Sequence, residues 1–256
     1  MAPFGVVLLD GASAFEPVDV SPVTYVQSLA ARITAALQQH DDIPVADAVA
    51  TAIAATTAEL HLTPRASPSS TVAVLRVRRD IVDLYVLGDS PIVYGTTRRG
   101  GGSTAHHLSD DRLARVAVPV RDRYRDRLIA GGGYDDEHRA TLAELQRAER
   151  RARNTEGGYW IAETDPDAAH HGVVEQVERA AMEWAVVASD GAADLITHTG
   201  RDWQDIAWSD ERQLDALLAE FHRWEAEDDP DGRVLPRAKR HDDKTLVAIA
   251  QVAGLA

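Results

Sequence analysis

Four stretches of this sequence run from apolar residues into aspartate beside a turn. They are Val6-Val7-Leu8-Leu9-Asp10-Gly11, Val86-Leu87-Gly88-Asp89-Ser90, Val186-Val187-Ala188-Ser189-Asp190-Gly191, and Asp242-Asp243-Lys244 ahead of the apolar residues 245–251. A carboxylate at the mouth of a sheet has a fixed backbone and a side chain free to leave the core. Several such groups in one place repel one another strongly unless a cation lies between them. Hard divalent ions with oxygen ligands, Mg2+ or Mn2+, suit such a set. Asp194 follows Asp190 by one helical turn, so a helix starting there returns it toward the same side. Each motif alone has a plainer reading, because Asp-Gly and Gly-Asp are turn dipeptides and Asp190 can cap a helix.

The elements that would position these residues are legible in outline. Phe4 to Leu9 reads as a buried strand ending at Asp10-Gly11. From Val20 to Gln39 the apolar residues Val23, Val26, Leu29, Ala30, Ile33 and Leu37 recur at helical spacing, behind Ser21 as cap and Pro22 in the first turn. A second helix is expected from Val45 to about Leu60, opened by Pro44. Thr71 to Val77 alternates, with Ala73, Leu75 and Val77 on one face and Val72 and Val74 on the other. A turn at 78–80, a strand from Ile81 to Leu87 and a third from Pro91 to Gly95 then read as an antiparallel meander.

Residues from about 110 to 155 are rich in Arg, Asp and Glu around Gly131-Gly132-Gly133, and read as a charged helical hairpin inserted between strands. Strands are expected at Gly158–Glu163 and Met182–Ser189, helices from Gly191 to about Thr197 and from Glu211 to about Glu225, and a final strand at Thr245–Gln251. Mixed strands and helices of this kind predict one α+β domain over residues 1–256.

Composition narrows the function classes. The chain has 256 residues, 45% of them hydrophobic, enough to bury a large core. Its 27 basic and 41 acidic residues give a net charge of −14. Such a surface repels nucleic acid and anionic lipid, so neither is an expected partner. No stretch reaches the roughly 18 apolar residues of a membrane span. Met1 to Leu9 carries no charge and so no basic leader region, which points to the cytoplasm. The absence of cysteine excludes disulfides, thiolate metal sites and cysteine nucleophiles. Oligomeric state is not encoded in these features.

The order of the motifs is more specific than any one of them. Asp-Gly, then Gly-Asp-Ser, then Ser-Asp-Gly-x-x-Asp, then Asp-Asp-x-Thr before a terminal β run resembles the metal-dependent Ser/Thr protein phosphatases of the PPM (protein phosphatase 2C) family, as a divergent bacterial-type member. The pieces are LLDGAS at 8–13, SSTVAVLRV at 69–77, YVLGDSPIVY at 85–94, VVASDGAADLI at 186–196 and HDDKTLVAI at 241–249. The resemblance implies a four-layer α/β/β/α sandwich of two antiparallel sheets flanked by helices. It implies two Mn2+ or Mg2+ ions and a third, weaker one.

By this resemblance Asp10 matches the aspartate bridging both ions and Gly11 the carbonyl ligand. Asp190 and Asp243 match further ligands, and Asp194 and Asp89 match positions tied to the third ion. The implied activity is hydrolysis of phosphoserine or phosphothreonine in a phosphorylated protein, by a metal-bridged water.

Three departures stand against it. Ala12 occupies the position of the family histidine in Asp-Gly-His-Gly-Gly, no arginine precedes the first motif, and Lys244 replaces a frequent Asn. The first two favour the alternative, a catalytically weak or inactive PPM-like domain acting as a binding or regulatory module, and Lys244 changes the local charge beside Asp243.

Other groups carry less. His106-His107 and His170-His171 point oppositely if in strands, which disfavours joint ligation. His241 is a substitute proton donor or a solvated loop residue. Ser189 lies outside any nucleophile elbow. Gly100-Gly101-Gly102 and Gly131-Gly132-Gly133 lack the Lys-Ser/Thr of a phosphate loop and read as turns. Trp184, Trp203, Trp208 and Trp224 read as core or helix-packing residues.

Overall fold

The structure, a computed structural model, describes residues 5–12, 19–97 and 102–254; Phe4, Ser13 and the Gly100-Gly101 pair of the sequence reading lie outside the described residues. The strands of the described residues are β1 (Gly5–Leu8), β2 (Val72–Val77), β3 (Ile81–Leu87), β4 (Ile92–Thr97), β5 (Ser103–Leu108), β6 (Val173–Glu178), β7 (Met182–Ala188) and β8 (Leu246–Ala250). They form two antiparallel sheets, ordered β1-β2-β3-β6 and β5-β4-β7-β8.

Side-chain alternation decides the layering. Ala73 and Leu75 of β2 point between the sheets, where they join Leu8, Leu84, Val86, Tyr94, Met182, Val187 and Ile249 in one core. Val72 and Val74 point outward and meet α1 (Pro22–Gln39) and α2 (Val45–Glu59) through Tyr25, Leu29, Ile33, Val49 and Ile53. Ser21 caps α1, its Oγ accepting from the Thr24 amide at 3.1 Å. On the second sheet, Val93, Trp184 and Val186 face α5 (Asp190–Thr199), α6 (Trp203–Ala207) and α7 (Glu211–Arg223). The result is the expected α/β/β/α sandwich. No helix among the described residues is long and apolar enough to cross a membrane.

Three details differ from the sequence reading. β4 does not continue the meander: β2 and β3 form a hairpin in the first sheet, and the turn at Gly88-Asp89 carries the chain into the second. Gly88 takes φ +88°, and a Cβ there would come within 2.9 Å of Thr71. Residues 158–163 form only isolated bridges, Tyr159 with Arg153 and Ala162 with Ser70. Two edge strands, β5 and β6, take their place at the rims of the sheets. Trp208 is exposed, unlike Trp184 in the core.

Between β5 and β6 stand α3 (Val118–Ile129) and α4 (Asp136–Ala152), the charged hairpin. Tyr124, Leu128, Leu142 and Leu145 give it a small core of its own. It docks on the segment before β8, where the His138 ring bonds the Ala238 carbonyl at 3.0 Å and Arg240 lies over the Tyr134 ring.

The pairing registers bring the chemistry to one end. Leu8 pairs Ala73, Val72 pairs Leu87, Ile92 pairs Val187, and Ala188 pairs Leu246. The C-terminal ends of β1, β3 and β7 and the N-terminal end of β8 therefore open on the same rim of the sandwich.

Candidate functional site

At that rim a cleft of about 240 Å3 is lined by Asp10, Gly11, Asp89, Asp190 and Asp242. Asp10 is placed by cross-bonds to the start of β2. Its amide donates to Thr71 Oγ1 at 3.2 Å, while its carbonyl accepts from the Thr71 amide and Ser70 Oγ, each at 2.9 Å. Thr71 Oγ1 in turn bonds Ser90 Oγ at 2.7 Å, tying the Asp10 and Asp89 turns together.

Ser189 is the N-cap position of α5, and Asp190 opens the helix with its Oδ1 accepting from the Gly191 amide at 2.7 Å. Ser189 Oγ accepts the Thr245 amide at 3.0 Å, so this serine is a structural clamp between β7 and β8. The same clamp draws in the loop at 242–243. A Cβ on Gly191 would lie 2.6 Å from the Asp243 carbonyl and 3.2 Å from Asp242 Cβ. Glycine is what lets that loop approach the helix.

The electrostatics follow from crowding like charges. Burial pushes Asp10 up to about 8, reinforced by the charges of Asp190, Asp242 and Asp89. Burial and the Asp190 and Asp194 charges push Asp89 up to about 7, with Arg121 opposing. Asp190 is raised by burial and by Asp242. Asp194 is exposed on the helix, yet the surrounding protein and the Asp190 charge raise it too. Lys239 lies at the edge of this field, its Nζ donating to Asp242 Oδ1 at 2.8 Å. Burial opposes its charge, but Asp242, Asp243 and Asp10 hold its pKa above the usual lysine value.

Asp10, Gly11, Asp89 and Asp190 are thus brought together, with Asp194 inside their mutual field. Asp243 is not: it is exposed outside the cleft, and its neighbour Asp242 turns inward instead. The reason is local. Lys244 is buried between the Glu225 carboxylate at 2.7 Å and the Asp242 carbonyl at 2.9 Å, which fixes which member of the pair faces α5. Sequence spacing could not choose between adjacent aspartates. Lys239 and the hairpin residues Arg121, Glu149, Arg150 and Arg153, which also line the cleft, had no motif to mark them.

The remaining candidates lie elsewhere. His106 stacks on Tyr94 and His107 meets Trp203 edge-on, on opposite faces of β5. His170 approaches Asp47, and His171 stacks on Trp160. His241 faces Glu225 at 3.4 Å and His222 ring to ring at 4.5 Å. Ligand atoms of His222, Glu225 and His241 lie within 4.8 Å of one another. Glu225, however, is already neutralised by Lys244 and approached by Arg237, so this trio is an ion-pair hub behind the Asp242 loop.

The cleft gathers carboxylate and carbonyl oxygens, the donor chemistry of a hard divalent cation, and the buried Ser69 Oγ on its lining has no hydrogen-bond partner; among the described residues it is His222, Glu225 and His241 that bring three donor atoms within 4.8 Å of one another. Ala12 also lines the cleft, offering no proton donor at that position.

No protein-family model matches this chain, and no curated protein does. It is similar in structure to several serine/threonine phosphatases. With a serine-threonine phosphatase 2C from Toxoplasma gondii it shares 14% identity over 87% of this chain and 79% of that one, at a TM-score of 0.47. With a PPM Ser-Thr phosphatase from Mycobacterium smegmatis, solved with cacodylate, the values are 16%, 95%, 87% and 0.47. With the catalytic domain of the serine threonine protein phosphatase PstP, solved with two manganese ions, they are 17%, 95%, 85% and 0.43.

Proposed function

We propose that this chain is a divalent-metal-dependent phosphatase acting on phosphoserine or phosphothreonine in a protein substrate. Mn2+ or Mg2+ would be held by Asp10, the Gly11 carbonyl, Asp190 and Asp242, with Asp89 and Asp194 at the margin for a weaker ion. Asp242 takes the place that motif order gave to Asp243. The observation that carries this reading is convergence: four separate turns, spread from residue 10 to residue 242, deliver carboxylates to one cleft at one rim. Holding them there is costly without compensating charge.

When bound, a pair of such ions supplies Lewis acidity and brings the pKa of water toward neutrality. The protein's own part is positional. Asp10, fixed through Thr71 and Ser70, and Asp190, fixed at the start of α5, would be its carboxylate ligands. Lys239 holds Asp242 in place. No cysteine is needed, because attack by water on phosphorus requires no covalent enzyme intermediate. The same reading takes residues 1–256 as one cytoplasmic domain with the hairpin as its insertion.

A second reading, a PPM-like binding or regulatory module, is favoured by two observations: Lys239 already gives the cluster a built-in cation, and Ala12 offers no proton donor. Hydrolysis of p-nitrophenyl phosphate and of a phosphothreonine peptide, with Mn2+ and with EDTA, separates the two. Turnover that needs metal is expected. Metal binding without turnover would favour the module.

A further inference from the structure

The carboxylate cleft has a second wall of opposite charge. Arg121 of α3, Arg150 of α4 and Arg153 directly after α4 line it, and all three come from the helical hairpin and its end. A phosphomonoester carries nearly two negative charges at neutral pH, so a cleft floored with carboxylates must offer it cations of the protein's own. The planar guanidinium fork matches two phosphate oxygens better than an ammonium does.

The cations are not equally committed. Arg153 is held by Glu163 at 3.0 Å and by the Tyr159 hydroxyl at 3.3 Å. Lys239 is held by Asp242. Arg121 is only half satisfied. Its Nη2 donates to the Leu113 carbonyl at 3.1 Å and to Glu149 Oε1 at 2.7 Å, while its Nε–H is shut off from solvent with no partner. A donor left unmade in a buried position is a standing cost, so this guanidinium gains by turning to any anion that takes two of its N–H groups. Its charge already reaches the cleft floor, where it acts against the upward shift of Asp89.

We infer that Arg121 is the phosphate-binding residue of this cleft, parked on Glu149 until a phosphomonoester arrives and then donating Nε–H and Nη–H in parallel to two phosphate oxygens. The inference rests on the phosphatase reading above and deepens it. The sandwich supplies the metal ligands, and the hairpin supplies the group that recognises the substrate's charge.

Calorimetric titration of inorganic phosphate into the Mg2+-loaded full chain tests it, with Mg2+ binding measured first for every variant. Arg121→Gln is expected to weaken phosphate binding about tenfold or more, the size of a lost charge-assisted pair, while Mg2+ affinity stays within about twofold. Arg121→Lys restores only part of the loss, because it returns the charge without the fork. Glu149→Gln removes the competing carboxylate, so phosphate binding holds or tightens. If the Arg121–Glu149 pair only braced the hairpin, both neutral variants would weaken phosphate alike. That result, or equal phosphate affinity in Arg121→Gln and the parent, overturns the assignment and leaves the metal site standing. A parent protein that binds no Mg2+ overturns the phosphatase reading, and the assignment with it.

Discussion

Asp10, just past β1 in one sheet, and Asp190, which follows β7 in the other, line the same cleft, and the charge of Asp190 helps to raise the Asp10 carboxyl. Burial and a neighbouring carboxylate both favour the protonated form of each group. The two sheets therefore meet at carboxyl groups that disfavour each other's charge.

Removing one member relieves repulsion. Asp10→Asn keeps the shape and the turn bonds of Thr71 and Ser70, which go to backbone atoms. In EDTA near pH 8 the variant is expected to melt higher than the parent, by a few degrees for about 1 kcal/mol in a chain of this size. Scanning calorimetry of both proteins reads this. A lower melting temperature would mean that Asp10 braces the fold.

The pH dependence has a definite sign. Asp194, Asp89 and Asp10 are raised to about 6, 7 and 8 in the folded chain, against an ordinary carboxylate value near 4. A raised folded-state pKa means that folding favours the protonated form. This contribution is fully present below about pH 4 and is lost as the pH rises through 6 to 8. In EDTA the melting temperature should fall from about pH 5 to about pH 8, and saturating Mn2+ should flatten the fall. An equally steep fall with Mn2+ present would remove these aspartates from the metal site.

Asp242 and Asp243 give opposite expectations by position. Asp242→Ala removes a cleft carboxylate and frees Lys239, so Mn2+ affinity should drop at least about tenfold, the scale of losses at metal-site residues. Asp243→Ala should change it little, because that side chain is exposed. Isothermal titration of the two variants decides, and a larger loss in Asp243→Ala would return the ligand role to Asp243.

Gly191→Ala tests the close approach that brings the loop in. The added methyl meets the Asp243 carbonyl at 2.6 Å, so the loop must retreat and carry Asp242 outward. Weaker Mn2+ binding with a near-normal circular dichroism spectrum is the expected result.

Away from the site, Arg76 and Asp83 form a buried pair at 2.6 Å, each side chain 4% exposed. Asp83 also accepts from Gln176 Nε2 at 2.8 Å. Asp83→Ala should cost about 3–5 kcal/mol in urea unfolding, because it strands a buried guanidinium.

How much of this was written in the sequence depends on burial. β2, β3 and β7 are covered on both faces, and their apolar runs announced them. β6 did not. Its inward positions include Glu175, which accepts the Tyr94 hydroxyl at 2.6 Å, while Val174 points to solvent, so the usual alternation is broken. β5 hides in the same way, since His106 is satisfied by Thr96 at 2.8 Å and not by burial in an apolar core. In the site, motif order picked out the Asp10, Asp89 and Asp190 turns that the pairing registers bring together. The inward turn of Asp242 goes with the Lys244–Glu225 bond across 19 residues, and the arginine wall with tertiary docking of the hairpin. Neither leaves a local pattern to read.

The central claim is that carboxylates from both sheets form one divalent-cation centre, and calorimetric titration of Mn2+ into metal-free protein tests it most directly. Tight binding to the parent chain is expected, with protons released as Asp10 and Asp190 ionise, and loss of that binding in Asp10→Asn and Asp190→Asn alike. Tight binding that survives in either variant, or a parent chain that takes up no Mn2+, would contradict it.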